Sequence, residues 1–204
     1  MKTLFLELKT SLLLTLVFAV LLCGAYPLAV WAGAQVFFRA QADGSLVTDR
    51  DGTVRGSALL AQNFASARYF QPRPSAAGTG YDATSSGGTN LGPTSQKLAD
   101  SIRAAVVAYR TANGLAADAP VPADAATSSG SGLDPHISVT NAQLQARRVA
   151  QARGLTLATV RALVAAHTED RDLGLFGEPR VNVLLLNLAL DAHPPARPAP
   201  SVHP

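Results

Sequence analysis

By hydropathy the chain splits into an apolar head and a mixed body. No charged side chain falls between Thr10 and Phe38, and from Ser11 the run reads SLLLTLVFAVLLCGAYPLAV before thinning into small and aromatic residues. An apolar helix of about 20 residues spans a hydrocarbon layer about 30 Å thick, so a transmembrane helix is expected over 10–33. A cleaved signal is the competing reading, since Ala32-Gly33-Ala34 has the small-x-small pattern of a cleavage site. Signal cores run only about 7–15 residues, and the uninterrupted length favours an anchor. Lipoprotein processing at Cys23 is disfavoured by the bulky Leu22 before it. Pro27 is expected to kink or end the helix. Tyr26, Trp31, Phe37 and Phe38 fit an aromatic belt at an interface.

The body alternates between helical periodicity and long polar loops. Ser45–Thr48 and Thr53–Arg55 flank Asp51-Gly52 and predict a β-hairpin. Leu59–Phe70 predicts a short helix ending before Pro72. Arg73–Pro93 is too rich in Pro, Gly, Ser and Thr for regular structure, yet its flanking and internal apolar residues Tyr69, Phe70, Tyr81 and Leu91 favour an ordered loop. Thr94 is expected to cap a helix reaching Ala112, with Leu98, Ile102, Ala105, Val106 and Tyr109 on one face. Leu115–Ala126 reads as a linker and Ser128–Pro135 as a second Gly/Ser loop. Thr140 with Gln143 has capping-box spacing and opens a helix ending at Gly154. Thr156 caps another. After the glycine break at Gly174 and Gly177, Pro179 and the run VNVLLLNLALDA predict a buried C-terminal helix, with a strand left open because the run is apolar all round. His193–Pro204, with five prolines, is expected to be disordered. The outline is an α+β, helix-rich body carrying a small β-hairpin or sheet.

Composition narrows the function classes. The 204 residues carry a net charge of +3 and are 48% hydrophobic, with much of the apolar excess in the head. The remaining chain suffices for one domain. Arginines and lysines are scattered, so polyanion binding is not demanded. Cys23, the single cysteine, lies in the apolar run, which leaves no intramolecular disulfide and no cysteine-ligated zinc in the body.

Candidate chemistry is sparse. A Walker loop needs a Gly-Lys pair, and none exists. Ser86-Gly87-Gly88 resembles the signature of transporter ATPase domains, but three residues are weak evidence and a glycine turn is the better explanation. Ser131 with Asp134 and His136 invites a hydrolase reading, yet Ser129 and Leu133 stand where a nucleophile elbow needs glycine, and Asp134-Pro135-His136 reads as turn chemistry. His167-Thr168-Glu169-Asp170 reads as a helix end rather than a metal site. Glu178 and Arg180 read as a solvated pair. Val149-Ala150, Gly154-Leu155 and Val160 match helix-turn-helix spacing with Arg147, Arg148, Arg153 and Arg161 nearby. A membrane-tethered DNA-binding regulator is therefore the alternative function, and it requires a cytoplasmic body. No catalytic residue and no metal ligand set is predicted.

Taken together, the loops and C-terminal segments resemble the C subunit of the bacterial Kdp potassium-transporting ATPase. The matching stretches are Ala61–Phe64, Arg68–Phe70, Arg73–Ala77, Tyr81-Asp82, Ser86–Pro93, Ser129–Ser138, Arg148–Ala150, Arg153–Leu155, His167–Glu169 and Gly177–Leu184. The resemblance implies an accessory, non-hydrolysing subunit of an ATP-driven potassium uptake complex in the bacterial inner membrane. Its implied partners are a channel-like potassium-selective subunit, a P-type ATPase subunit and a small single-helix subunit, together with the lipid bilayer; nucleic acid is not expected. It implies a cytoplasmic N-terminus over 1–9, an extracytoplasmic domain over 34–192 and a tail over 193–204. ATP and potassium are handled by the complex, with no tightly bound cofactor here. The family is described as a catalytic chaperone that raises the ATP affinity of the ATPase subunit, which makes Ser86, Gly87 and Gly88 the implied nucleotide contacts. ATP is cytoplasmic, whereas the implied topology puts those residues on the other side. The physical reading favours a clamp or cap over the channel-like subunit, with Asp82, Asn90, Asp134, His136 and Glu169 as partner or ion-mouth contacts.

Overall fold

The apolar head folds as one helical rod. The computed structural model describes residues 2–49 and 51–193, and the chain divides into two units, Met1–Leu46 and Val47–Pro204. In the first unit, α1 (Lys2–Val20) passes through a π-helical turn (Leu21–Ala25) into α2 (Tyr26–Phe37), followed by the short α3 (Arg39–Ala42). Lys2–Phe37 is long and apolar enough to cross a membrane, and none of its most apolar window is buried. Pro27 does not end this helix. The wider π turn lies just upstream of it, where the proline's ring and missing N–H disturb the i→i−4 ladder.

At the boundary of the two units comes a hairpin, strand β1 (Leu46–Thr48) pairing with β2 (Val54–Ser57), as the Asp51-Gly52 turn predicts. A long stretch without helix or strand leads from there to the Ser95 cap. The expected helix over Leu59–Phe70 is absent. The reason is tertiary: the Ala67, Arg68, Tyr69 and Phe70 carbonyls and the Phe70 N–H bond to side chains from distant helices.

Next come α4 (Gln96–Asn113), α5 (Ala123–Ala126), β3 (His136–Ser138), α6 (Val139–Arg153), α7 (Leu157–Ala166), β4 (Thr168–Glu169), β5 (Arg180–Asn182) and α8 (Val183–Asp191). The caps correct two boundaries. Ser95, not Thr94, caps α4, and Ser138, not Thr140, caps α6, each hydroxyl accepting a backbone N–H three residues on. Thr156 caps α7 as predicted, and Gly114 and Gly154 close α4 and α6 in left-handed conformations. The expected linker over Leu115–Ala126 contains α5, which buries Ala125 and Ala126. The C-terminal run is both of the forms left open: three residues of strand, then a helix capped by Asn182. The tail from residue 194 lies outside the described residues.

Strands β3, β5 and β4 form an antiparallel sheet in that order, with Ile137 opposite Val181 and Glu169 opposite Arg180. Ile137 and Val181 face a core built from Ala142, Ala146 and Val149 of α6, Val160 and Val164 of α7, Leu186 and Leu190 of α8, and Phe70 from the irregular stretch.

Phe70 is fully buried in a segment with no ladder partner. The Asn187 amide accepts from its N–H at 2.9 Å and donates to its carbonyl at 2.9 Å. Gln145 repeats the motif one residue on, accepting from Gln71 N–H at 2.8 Å and donating to its carbonyl at 3.0 Å. Two side-chain amides thus imitate neighbouring strands. Arginines extend the pattern: Arg148 Nη1 donates to the Ala67 and Tyr69 carbonyls, and Arg153 Nε to the Arg68 carbonyl. Arg148 also donates to Asn113 and Gln145. Tyr109, whose hydroxyl donates to Asn141, is held well above its ordinary pKa, chiefly by burial and then by the charge of Asp124.

Asn187→Ala strands two buried backbone groups, which predicts a loss of about 2–6 kcal/mol at about 1–3 kcal/mol per group. Urea unfolding of the full chain in detergent checks this, with Lys97→Ala, at an exposed helical position, as the control expected to cost nothing measurable.

Candidate functional site

The two glycine loops are pressed together. Gly87 N–H donates to the Ser131 carbonyl at 2.9 Å and the Ser86 hydroxyl donates to the same oxygen at 3.0 Å. The Ser75 hydroxyl donates to the Gly132 carbonyl at 2.6 Å and accepts from Tyr81 N–H at 2.8 Å. The approach is close enough to demand glycine. At Gly132 (φ +68), an added Cβ would lie 2.6 Å from Gly87 O and 2.7 Å from Ala77 N; at Gly88 it would lie 2.9 Å from Gly130 O. A groove of about 680 Å³ opens beside the contact, lined by Leu60, Arg73, Ser86, Ser131, Asp134 and Pro135 among others.

A row of ionisable side chains runs from this groove to the sheet edge. Arg73 Nη1 lies 3.0 Å from Asp134 Oδ2. Asp134 Oδ1 accepts His136 N–H at 3.0 Å in an Asx-type turn and lies 3.5 Å from the ring Nδ1. The other ring nitrogen, Nε2, lies 3.6 Å from Glu169 Oε2. Arg180 bonds Glu169 through Nε at 3.0 Å and Asp172 through Nη2 at 3.1 Å. The register that sets His136 opposite Asn182 and Glu169 opposite Arg180 brings these groups into reach. The His136 ring, then the backbone N–H and Arg73, hold the Asp134 carboxyl down at about 2 despite its partial burial. A second cleft, of about 1000 Å³ between the hairpin and α8, holds none of the predicted site residues.

Against known proteins, the family model described as "KdpC: K+-transporting ATPase, c chain" matches residues 8–192. The chain belongs to the KdpC family. It is 55% identical over 185 residues to the potassium-transporting ATPase KdpC subunit of Mycobacterium tuberculosis (strain ATCC 25618 / H37Rv), covering 91% of this chain and 97% of that one. The KdpC subunit of Rhodospirillum rubrum is 55% identical over 184 residues, covering 90% and 94%, and that of Koribacter versatilis 50% over 190 residues, covering 93% and 96%.

Family membership leaves the DNA-binding alternative without support, and two of its four arginines agree, while Arg147 and Arg161 are exposed. Helices α6 and α7 do meet at Gly154 as a helix-turn-helix requires, but Arg148 and Arg153 are buried and bonded to the irregular stretch, with Arg153 also paired to Asp191 at 2.7 Å. Ser131 does turn chemistry, its hydroxyl accepting from Leu133 N–H. His167 ends α7 with Nδ1 2.9 Å from the Leu163 carbonyl, as a helix-end histidine should.

Of the predicted site residues in this KdpC-family chain, Ser86, Gly87, Gly88 and Asp134 meet at the loop contact, and His136 and Glu169 continue the charged row. Asp82 lies apart in a turn, its carboxyl held low by two bonds from Thr84. Asn90 is exposed in left-handed backbone (φ 51), outside the row. The solvated Glu178–Arg180 pair is corrected: Glu178 pairs with Arg171 at 2.8 Å, while Arg180 bridges Glu169 and Asp172. Arg73 and Ser75 are the site residues to which the sequence pattern gives no role, and Arg180 reads there only as half of a solvated pair. Arg73 and Ser75 sit in the matched RPSAA stretch, and that was their one signal.

The Asp134 carboxyl is depressed in the folded chain, so its contribution is complete above the unfolded value near 4 and is lost as pH falls toward 2. Asp134→Asn should cost about 1–2 kcal/mol at neutral pH after solvent screening, and that difference should shrink between pH 4 and 2. Paired urea melts at pH 7, 4 and 2.5 check the sign.

Proposed function

We propose that the chain is the accessory, non-hydrolysing C subunit of an ATP-driven potassium uptake complex, and that the interlocked glycine loops form its docking ridge. In this reading Lys2–Phe37 crosses the bacterial inner membrane once, with the N-terminus cytoplasmic and the body outside the cytoplasm. Family membership and the names of the curated relatives support the complex; the length and apolarity of the helix support the anchor. The ridge meets the channel-like subunit, and Asp134 and Glu169 add negative potential at the ion mouth. The ATPase subunit and the small single-helix subunit complete the assembly.

One observation carries the choice of a docking ridge over a nucleotide loop. A phosphate-binding glycine loop keeps its backbone N–H groups free for the ligand. Here Gly87 N–H is bonded to Ser131 O, and a Cβ at Gly88 would run into Gly130 O. These glycines are used for close packing between loops. The role therefore works through contact with partner subunits and needs no ATP at Ser86–Gly88.

Two variants of the complete complex test the reading. Asp134→Asn and Gly132→Val should each lower assembly yield or apparent potassium affinity by roughly tenfold, a loss of about 1.4 kcal/mol, while the assembled fraction still hydrolyses ATP. Copurification and potassium-stimulated ATPase titration measure the two effects. Normal yield together with normal potassium affinity in both variants overturns the docking ridge.

A further inference from the structure

The connection between β4 and β5 carries three large apolar side chains into solvent: Leu173 is 89% exposed, Leu175 76% and Phe176 64%. Scattered exposed apolar residues are ordinary, but three within four positions at one turn are a patch. The turn is also built to hold its shape. Asp172 N–H donates to the Phe176 carbonyl at 2.8 Å, and Phe176 N–H returns the bond at 2.9 Å. Leu173 sits at φ +54, a conformation that disfavours a side chain with a Cβ. The Arg180 fork grips Asp172 from below, and Arg171 pairs with Glu178 across the base. A strained turn braced in this way, with its large apolar side chains left in solvent, is the pattern of a preorganised binding element.

Charge separates the occupants. The stretch 169–180 holds four carboxylates, Glu169, Asp170, Asp172 and Glu178, against two guanidiniums, Arg171 and Arg180. Both guanidiniums are bonded to carboxylates within the stretch. A segment that enters an anionic lipid surface carries unpaired lysine or arginine, whereas this one carries an acidic excess. We propose that Leu173, Leu175 and Phe176 form an apolar knob that docks into an apolar, basic-rimmed pocket on another protein subunit of the complex. The knob would be a second contact beside the glycine ridge, and it rests on the assembly reading proposed above.

The experiment uses the full chain coexpressed with the other subunits in native membranes. In the first arm, Leu175 is replaced by benzoylphenylalanine and the membranes are illuminated. An adduct with a different subunit of the complex is expected. An adduct with lipid alone, an adduct with a second copy of this chain, or no adduct overturns the knob. In the second arm, the double variant Leu175→Ser/Phe176→Ser is purified through a tag on the ATPase subunit. Its recovery should fall at least tenfold, while Val107→Ser, exposed on α4, stays within twofold of wild type. The double variant alone should keep the wild-type melting temperature, because these side chains touch little in the free chain. Recovery of the double variant at the wild-type level overturns the knob while leaving the assembly reading intact. Failure of the wild-type chain itself to copurify overturns both.

Discussion

The body of this chain depends on side-chain amides doing the work of a β-ladder. A buried backbone group without a hydrogen-bond partner costs about 1–3 kcal/mol, and a long irregular stretch brings many of them. Asn187 and Gln145 answer this at Phe70 and Gln71, and Arg148 and Arg153 take the carbonyls at Ala67, Arg68 and Tyr69. Each of these side chains comes from α6 or α8. The helices therefore serve as the frame on which an unladdered strand is stretched, and Phe70 is the peg that seats it in the apolar core.

The segment downstream of Phe70 inherits that anchoring. Residues 70 and 71 are pinned, so Arg73 and Ser75 arrive at fixed places beside the second loop. There Arg73 pairs with Asp134 and Ser75 reaches Gly132 O. The glycines let the backbones close, and the row through His136, Glu169 and Arg180 ties the contact to the sheet. An electrostatic feature on the surface is thus held in register by a buried polar network some distance away. The proposed docking role needs this rigidity, because a ridge that is ordered before it meets its partner loses little conformational entropy on binding.

Much of this was legible in the sequence, and the gaps have physical causes. The apolar head, the hairpin at Asp51-Gly52 and the helices ending at Gly114 and Gly154 arise from local chemistry: hydropathy, turn residues and left-handed caps. Ser95 and Ser138 were missed as caps because a threonine stood one or two positions away with comparable propensity. The helix expected over Leu59–Phe70 failed because its bonding partners lie between about 75 and 125 positions away, beyond any window of local pattern. Arg148 and Arg153 looked like DNA contacts for the same reason, since nothing local says that an arginine on an amphipathic helix faces inward. The three-stranded sheet is built from segments of two or three residues, too short to carry a period. At the site, Asp134, His136 and Glu169 were legible as polar groups in glycine-rich or helix-ending contexts. Their alignment into one row comes from strand register, and register comes from the core.

Native-state hydrogen exchange at the Phe70 and Gln71 amides tests the clamp most directly. Both N–H groups lie outside regular structure, so their hydrogen-bond acceptors are the Asn187 and Gln145 side chains rather than a helix or ladder. The account predicts exchange as slow as that of Val149 in the centre of α6, through the same cooperative opening. Exchange as fast as in the exposed turn at Thr84 would contradict it.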